Sequence, residues 1–217
     1  EGVKAMRLPN FAMPGFESDD IIGTFTTLAE KNGYQTRILS GDLDFLQLVT
    51  ENTKLVKFNG KLENSVQYGP AETYARYNIT PEQMVDFKAI VGDSSDNYKG
   101  IPGVGPKTAA KLIQQFETLD NLYDNIEEIE KESVRNKFIA EKEYVYHCQY
   151  LAKIATDVDV SIDYSQKFSL ENSTADAFFE RVNFKNLGVR FQRMILKKDD
   201  VKKMNKKSNN DDQLSLF

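Results

Sequence analysis

The secondary-structure signals change character at Pro70, and this change sets the fold class. Alternating apolar side chains predict strands at 3–8 and 34–39, and apolar residues at helical spacing predict a helix over 17–33 between them. A helix between two strands favours a right-handed crossover and a parallel sheet, with functional groups at the carboxyl ends of the strands. From Pro70 onward almost every signal is helical. We therefore expect an α/β portion followed by a helical region.

The remaining signals complete this division into regions. Asn59-Gly60, between apolar runs at 54–58 and 62–68, predicts a β-hairpin. The later segments are a strand at 158–163 and helices at 70–77, 81–91, 106–116, 118–124, 127–155, 174–181 and 185–197. After Leu196 the chain is too polar to bury a core, which predicts disorder. We expect an α/β portion at 1–69, a helical region at 70–196 and a tail at 197–217.

Composition excludes several classes of site. The 217 residues include one cysteine, Cys148, and one histidine, His147, so a disulfide framework or a site built from several imidazoles is excluded. This neighbouring pair is expected to serve packing. No apolar run reaches the roughly 18 residues that span a bilayer, which predicts a soluble intracellular protein. The formal charge of −5 argues against a generally basic surface but leaves room for local basic patches.

Seven acidic residues form three short clusters at the ends of predicted elements or in turns. They are Glu17, Asp19 and Asp20; Asp42 and Asp44; and Asp93 and Asp96. Each cluster alone is typical of a helix cap or a polar turn. If the clusters meet at one edge of the sheet, however, their like charges require cations. Mg²⁺ or Mn²⁺ suits an oxygen-rich site, and two such ions predict phosphodiester hydrolysis.

A glycine hairpin, defined here as Gly103, Val104 and Gly105, is the second notable feature. It lies in GIPGVGPKTAAKL (100–112), with Lys107 and Lys111 on the helix that follows. Backbone amides at such a helix start, flanked by lysines, are suited to a phosphodiester backbone. An ordinary helix-turn-helix used for packing is the alternative. A Walker nucleotide loop fits poorly, because Pro106 precedes Lys107-Thr108.

Four motifs in order carry a family resemblance: FESDDIIGT, ILSGDLDFLQL, KAIVGDSSDN and GIPGVGPKTAAKLI. From about residue 3 to 196, the chain resembles the 5′→3′ exonuclease domain of bacterial DNA polymerase I and the related flap endonucleases. The resemblance implies a PIN-like α/β fold with a parallel sheet, followed by helices that include a helix-hairpin-helix. It also implies Mg²⁺-dependent cleavage of DNA, or of RNA-DNA primers, near a free 5′ end or flap, in a cytoplasmic, nucleoid-associated protein.

The resemblance also implies roles for individual residues. Glu17 and Asp19 match ligands of a first metal, with Asp20 beside them. Asp42, Asp44 and Asp96 match the second metal region, with Asp93 as an outer contributor. The remaining matches are DNA-binding residues, with a K⁺ ion held by hairpin carbonyls: Gly103, Val104, Gly105, Lys107, Thr108 and Lys111.

Some features depart from the family pattern. Tyr98-Lys99 stands where relatives commonly have Ile-Pro, and we expect neither residue to touch the metals. The family's further acids and its basic arch are expected to precede Glu1. We therefore expect that the chain lacks the N-terminal part of the family's nuclease domain. A catalytically incomplete DNA-binding module is therefore an alternative to an active nuclease. A Mg²⁺ phosphotransferase or phosphatase acting on small molecules is a third reading of the GDLD loop.

The last five residues resemble the peptide by which bacterial replication proteins bind the sliding clamp. They are Gln213, Leu214, Ser215, Leu216 and Phe217. The apolar members would dock in a hydrophobic pocket, and the polar tether before them would raise the local concentration of the protein at DNA. The sequence therefore predicts the sliding clamp as a protein partner.

Overall fold

The computed structural model describes residues 1–163 and 174–195, apart from the side chains of residues 59 and 61–63. The chain divides into two compact units. The larger unit is Met13–Ile162, and the smaller combines Glu1–Ala12 with the described residues from Asp163 onward. None of the helices in the described part has the length and apolar character needed to cross a bilayer.

Helices account for most of the regular structure. They are α1 (Gly2–Ala5), α2 (Ser18–Lys31), α3 (Pro70–Tyr77), α4 (Met84–Val91), α5 (Pro106–Phe116), α6 (Leu119–Asp124), α7 (Glu132–Ala140), α8 (Lys142–Ala152) and α9 (Ala175–Arg181). Residues 185–195 are also helical. Short 3₁₀ turns form at Asp44–Leu48, Pro81–Gln83 and Ile126–Glu128. Almost all regular structure described after Pro70 is helical, as predicted, while the boundaries of the predicted regions, 1–69, 70–196 and 197–217, stay predictions.

In the described part of the chain, five short strands form two sheets. The strands are β1 (Thr36–Leu39), β2 (Thr53–Asn59), β3 (Lys61–Tyr68), β4 (Gly92–Asp93) and β5 (Tyr98–Lys99). β1 runs parallel to β2, and β2 runs antiparallel to β3 in the predicted hairpin. A separate two-stranded ladder joins β4 to β5. The parallel pair places the loop after β1 at the carboxyl edge of the sheet, but the partner of β1 is β2 and not the segment at 3–8 that the sequence predicts.

The strand predicted at 3–8 is wrong, since the chain forms α1 there instead. Six residues of alternation do not separate a strand from one helical turn unless a partner strand is present. In the smaller unit the partner is helical: a Cβ on Gly2 would lie 3.0 Å from the Phe178 ring. Phe179 and Phe191 form the buried centre of this unit together with Ala175.

Two other predictions are corrected in the larger unit. The helix predicted over 127–155 is broken into a 3₁₀ turn, α7 and α8, because each piece turns its own apolar residues, such as Phe138 and Val145, into the core. No strand forms at 158–163. There the Val158 amide donates to the Thr24 hydroxyl at 3.1 Å, so this stretch packs on α2 instead of entering a sheet.

The core of the larger unit lies between the three-stranded sheet and the helical region. α4 is at its centre, with Phe87, Ala89 and Ile90 buried, and it packs against both α5 and α8. Leu55 of β2 and Ile113 of α5 are fully buried in the same cluster. This packing holds the end of α4 rigidly beside the loop that follows β1, which positions the acidic residues described next.

Candidate metal centre

Three carboxylates from different parts of the chain meet beside the sheet. Asp44 begins the 3₁₀ turn after β1, Asp93 lies in β4, and Asp96 lies between β4 and β5. Each offers a carboxylate oxygen, and these oxygens all lie within 4.8 Å of one another. We call these three residues the acidic centre. Asp44 and Asp93 are partly buried and Asp96 is exposed, so the group is open to solvent on one side.

The loop after β1 is shaped by its own side chains. The Asp42 amide donates to the Ser40 hydroxyl at 3.1 Å, and the Asp44 amide donates to Asp42 Oδ1 at 2.9 Å. Such side-chain turns are the local preference of Asp and Ser. They hold the Asp42 carboxylate next to Asp44 at the carboxyl end of β1, where the sequence predicts it.

Two glycines allow the loop carrying Asp93 and Asp96 to close. Gly92 has φ +82°, and a Cβ there would lie 2.1 Å from the Gly100 nitrogen. A Cβ on Gly100 would lie 2.2 Å from the Ile90 carbonyl oxygen. Only glycine fits such a backbone approach. The two residues therefore fasten the base of the loop to the end of α4 and turn its acids toward Asp44.

Lys88 of α4 lies inside the acidic centre, and no sequence prediction named it. Its ammonium group donates to Asp44 Oδ1 and lies 2.6 Å from Asp93 Oδ2. Burial lowers the pKa of Lys88, but the two carboxylates outweigh burial and raise it. Lys88 is therefore a fixed positive charge. Its place in KAIVGDSSDN, at the end of a helix that leads into the acids, was the available signal.

The pKa values of the two carboxyl groups beside Lys88 are shifted in opposite directions. Burial raises the pKa of Asp44, and hydrogen bonding to Lys88 only partly offsets it. For Asp93, burial is outweighed by Lys88 and by the Ser95 amide, which donates at 2.7 Å, so its pKa falls. Burial and neighbouring negative charges thus disfavour the ionised form of Asp44, and an added cation would stabilise that form.

Electrostatics link the first acidic cluster to the other two. Burial raises the pKa of Asp19, and the negative charges of Asp42, Asp20 and Asp96 raise it further, while a bond from Ser18 opposes them. Asp19 therefore lies within electrostatic range of the other clusters, but the acid group with metal-ligand spacing among the described residues contains neither Asp19 nor Asp42, so their role as ligands stays a prediction.

Asp20 and Glu17 are placed differently. Asp20 accepts the Glu17 amide at 3.1 Å and the Ala155 amide at 2.9 Å, one on each carboxylate oxygen. Asp20 thereby caps α2 and ties it to the chain after α8. Glu17 is the exposed N-cap residue of α2. Within 1–163 and 174–195, the acid group with metal-ligand spacing contains neither residue, so their role as ligands stays a prediction.

A cleft of about 530 Å³ opens onto the acidic centre. Its walls include Asp42, Asp44 and Asp93, together with Lys57 of β2 and Tyr77 of α3. The cleft combines carboxylates that suit a metal with lysines that suit an anion. It is therefore suited to an anionic substrate held beside metal ions.

The glycine hairpin forms as predicted in front of α5. Gly103 has φ +73°, Gly105 is the N-cap, and Pro106 is the first residue of α5. Val104 is buried, and its amide donates to the Ile101 carbonyl at 3.0 Å. Lys107, Thr108 and Lys111 are exposed along the same helix. The hairpin thus presents an open, basic surface.

Lys137 of α7 adds a charge to this surface. A Cβ built on Gly103 would lie 2.8 Å from the Lys137 ammonium nitrogen. Lys137 is exposed, so its charge stands over the hairpin facing solvent. The sequence shows only the mixed charges of a helix here; folding alone brings α7 to the hairpin.

The remaining predictions concern Cys148, His147 and the C-terminal peptide. Cys148 is buried in α8 with its thiol donating to the Lys99 carbonyl at 3.6 Å, and burial raises its pKa, so its packing role is confirmed. His147 is exposed. The clamp-like peptide, Gln213, Leu214, Ser215, Leu216 and Phe217, lies outside the described residues.

Comparison with known families bears on what this site does. Residues 1–78 match the model of the 5′-3′ exonuclease N-terminal resolvase-like domain, and residues 79–176 match that of the 5′-3′ exonuclease C-terminal SAM fold. The chain belongs to the 5′-3′ exonuclease family. The resemblance inferred from the four motifs is thereby confirmed.

The relatives include DNA polymerases I from two bacteria. The enzyme of Thermus thermophilus is 36% identical over 187 residues, which are 86% of this chain and 22% of that protein. The enzyme of Bacillus subtilis is 34% identical over 189 residues, again 86% of this chain and 22% of that protein. The chain thus spans about a fifth of the length of these relatives and is homologous to their 5′-3′ exonuclease region.

Solved structures of the bacteriophage T5 enzyme share the fold. The T5 5′-exonuclease with bound zinc ions is 25% identical, with a TM-score of 0.62, over 69% of this chain and 54% of that one. The T5 flap endonuclease in a complex with DNA and metal ions is 23% identical, with a TM-score of 0.63, over 71% of this chain and 56% of that one. The predicted PIN-like α/β fold is confirmed.

Proposed function

We propose that this chain carries out structure-specific 5′ nuclease chemistry, cleaving phosphodiester bonds near a free 5′ end or at a flap during replication and repair. The observation that carries the proposal is the convergence of Asp44, Asp93 and Asp96, whose oxygens lie within 4.8 Å of one another. The family match supports the reaction class, and the T5 relative binds divalent metal ions.

The ligand atoms of the acidic centre favour Mg²⁺ or Mn²⁺, and two ions are proposed. The acidic centre offers only carboxylate oxygens, the ligands that hard divalent ions prefer. Such ions, when bound, activate a water molecule and stabilise the leaving oxygen. Asp44, Asp93 and Asp96, with Asp42 beside them, would hold the second ion. Glu17 and Asp19 would contribute to the first ion, with Asp20 beside them.

The protein's own groups position the substrate. Lys88 neutralises part of the acidic charge, which keeps the cleft from repelling a phosphodiester. The glycine hairpin, with Lys107, Thr108 and Lys111, would bind the duplex backbone through phosphate contacts that carry no sequence information. A K⁺ ion held by hairpin carbonyls belongs to the same proposal, tested by exchanging KCl for NaCl in binding assays.

The decisive experiment is cleavage of a labelled 5′-flap duplex in Mg²⁺. Asp93→Asn should abolish cleavage while leaving binding to the flap intact, because the hairpin surface is unchanged. Asp159→Asn is the matched control, since Asp159 is exposed in the same unit and lies outside the acidic centre. Equal cleavage by wild type and Asp93→Asn would overturn the proposal. Flap binding without cleavage by the wild type would support the incomplete DNA-binding module instead.

The proposal also includes a second substrate class and a protein partner. RNA-DNA primers with a free 5′ end are a second substrate class to test in the same assay. Gln213, Leu214, Ser215, Leu216 and Phe217 would bind the sliding clamp, as their resemblance implies, and hold the protein at nucleoid DNA in the cytoplasm. Removing these five residues should abolish clamp binding in a pull-down and leave flap cleavage without clamp unchanged.

A further inference from the structure

Tyr98 is buried beside the acidic centre with an unused hydroxyl group. It pairs with Asp93 across the β4–β5 ladder, and only 6% of the residue is exposed. Among the described residues, its hydroxyl oxygen is one of two buried side-chain polar atoms without a hydrogen-bond partner; the other is Thr53 Oγ1. Buried tyrosine hydroxyls usually find a partner, so this one points to something that binds there.

The surroundings of the hydroxyl identify the site that it serves. It lies within electrostatic range of Lys88, Asp93, Asp44 and Asp96, which are the acidic centre and its lysine. The sequence alone predicts that Tyr98 stays clear of the metals. That prediction stays a prediction, and a contact through a water molecule is compatible with it; the β4–β5 ladder pairs Tyr98 with Asp93.

Two of the acids near Tyr98 already accept hydrogen bonds from other donors. Asp93 accepts the Ser95 amide on Oδ1 and meets Lys88 through Oδ2, and Asp44 Oδ1 also meets Lys88. The phenol remains protonated at neutral pH, and its oxygen can also accept a hydrogen bond. A donor that enters the cleft with a bound species, such as a water molecule on a cation, would use that oxygen.

We propose that Tyr98 is a positioning residue of the metal centre, whose hydroxyl oxygen accepts a hydrogen bond from a water molecule coordinated to the divalent cation held by Asp44, Asp93 and Asp96. The inference rests on the proposed metal centre and adds an outer partner from this chain. Divalent ions such as Mg²⁺ keep several waters, and outer partners that hold such ligands raise metal affinity.

Metal binding without DNA tests the inference directly. Calorimetry with Mg²⁺ should show about 10-fold weaker binding for Tyr98→Phe than for wild type. The metal-free Tyr98→Phe protein should unfold at the same temperature as wild type or higher, because phenylalanine keeps the ring and removes an unpaired buried hydroxyl. A residue with a packing role alone would not weaken Mg²⁺ binding while leaving the metal-free fold intact.

Terbium luminescence gives a second, spectroscopic readout. The chain has no tryptophan and ten tyrosines, so excitation near 280 nm sensitises bound Tb³⁺ through tyrosine alone. Tyr98→Phe should lower the sensitised emission at saturating Tb³⁺, while Tyr77, in the wall of the same cleft, should keep part of it. Tyr150→Phe is the matched control, because Tyr150 is 78% exposed, and it should leave both emission and Mg²⁺ affinity unchanged.

The outcomes separate this inference from the proposed function. Unchanged Mg²⁺ affinity in Tyr98→Phe, with binding lost in Asp44→Asn, would overturn the role of Tyr98 and leave the metal centre standing. Failure of the wild-type chain to bind Mg²⁺ or Tb³⁺ would overturn both. Weaker binding accompanied by a lower unfolding temperature of metal-free Tyr98→Phe would mark a packing residue and also count against the proposal.

Discussion

The acidic centre and the glycine hairpin are assembled in different ways. The hairpin and its lysines lie within residues 100–112, whereas Asp44 and Asp93 come from opposite ends of a long stretch of chain and meet only through the packing of α4. A local motif tolerates changes elsewhere in the fold, while a centre built from distant segments depends on the core that holds them. Variants in each region should therefore fail differently.

Removing a carboxylate from the acidic centre should have the largest effect. Asp44→Asn keeps the shape of the side chain and deletes one charge, so flap cleavage in Mg²⁺ should fall by at least about 100-fold. DNA binding in Ca²⁺, measured by fluorescence anisotropy, should stay within about twofold, because phosphate contacts at the hairpin supply it. A parallel loss of DNA binding would show that the two regions are not separable. Asp159→Asn controls for the loss of one negative charge.

Lys88 tests how the acidic centre depends on charge. Lys88→Met in metal-free buffer should lower the free energy of unfolding by about 2 kcal/mol at pH 7, because it strands two partly buried carboxylates. In the wild type, the pKa of Asp93 lies below its ordinary value of 3.8, so its stabilising contribution is present above that pH and is lost as pH falls through the lowered pKa.

The variant should therefore approach wild type as pH falls toward 3 and the carboxyl groups protonate. Urea unfolding at pH 7, 5 and 3.5 measures this difference. A penalty that stays constant over the series would mean that Lys88 contributes through packing of its carbon chain and not through its charge. Lys131→Met, on the exposed start of α7, serves as the control for loss of a lysine.

Gly103 tests the local construction of the hairpin. Gly103→Ala forces a Cβ onto φ +73° and against the Lys137 ammonium group, which should cost about 1 kcal/mol of stability and weaken flap binding about tenfold. Gly33→Ala carries a similar strain, at φ +76° with open space around it. It should lose similar stability and no DNA affinity. Equal affinity losses in both variants would assign the effect to strain and not to the hairpin surface.

Lys137 should give the smallest effect. Lys137→Gln removes one charge over the hairpin, so flap binding should weaken about threefold, and the slope of log K against log salt should become shallower by about 1. The measurement is a salt titration of anisotropy, with Lys131→Gln as the control from the same helix region. An unchanged slope would show that Lys137 makes no phosphate contact.

Part of the acidic centre was predictable from the sequence, and there are physical reasons why the rest was not. GDLD after a strand and GDSSDN after a helix name acids that approach one another, because strand ends and short turns are set locally. The place of Lys88 before GDSSDN was a signal, but its contact with both Asp44 and Asp93 was not predictable, and neither was the unpaired buried hydroxyl of Tyr98. The positions of Lys88 and Tyr98 depend on the close backbone approach at Gly92 and Gly100, which only the folded chain displays.

The same contrast holds for the fold. The hairpin of β2 and β3 and the helices from Pro70 to Phe116 follow from turn residues and apolar spacing, and the structure confirms them. The strand predicted at 3–8 fails because six residues leave the choice between strand and helix to the neighbouring surface, and here that surface is the aromatic cluster around Phe179.

By itself, the amino-acid sequence determined the β2–β3 hairpin and the helices from Pro70 to Phe116. It also determined which residue types, carboxylates and lysines with glycine turns, are available for binding ions and phosphates. These follow from short-range preferences that are complete within a few residues. Tertiary structure alone decided that Asp44, Asp93 and Asp96 share a site, that Lys88 neutralises it and that Tyr98 leaves a hydroxyl free beside it. Such proximity arises from core packing between distant segments, which no local pattern records.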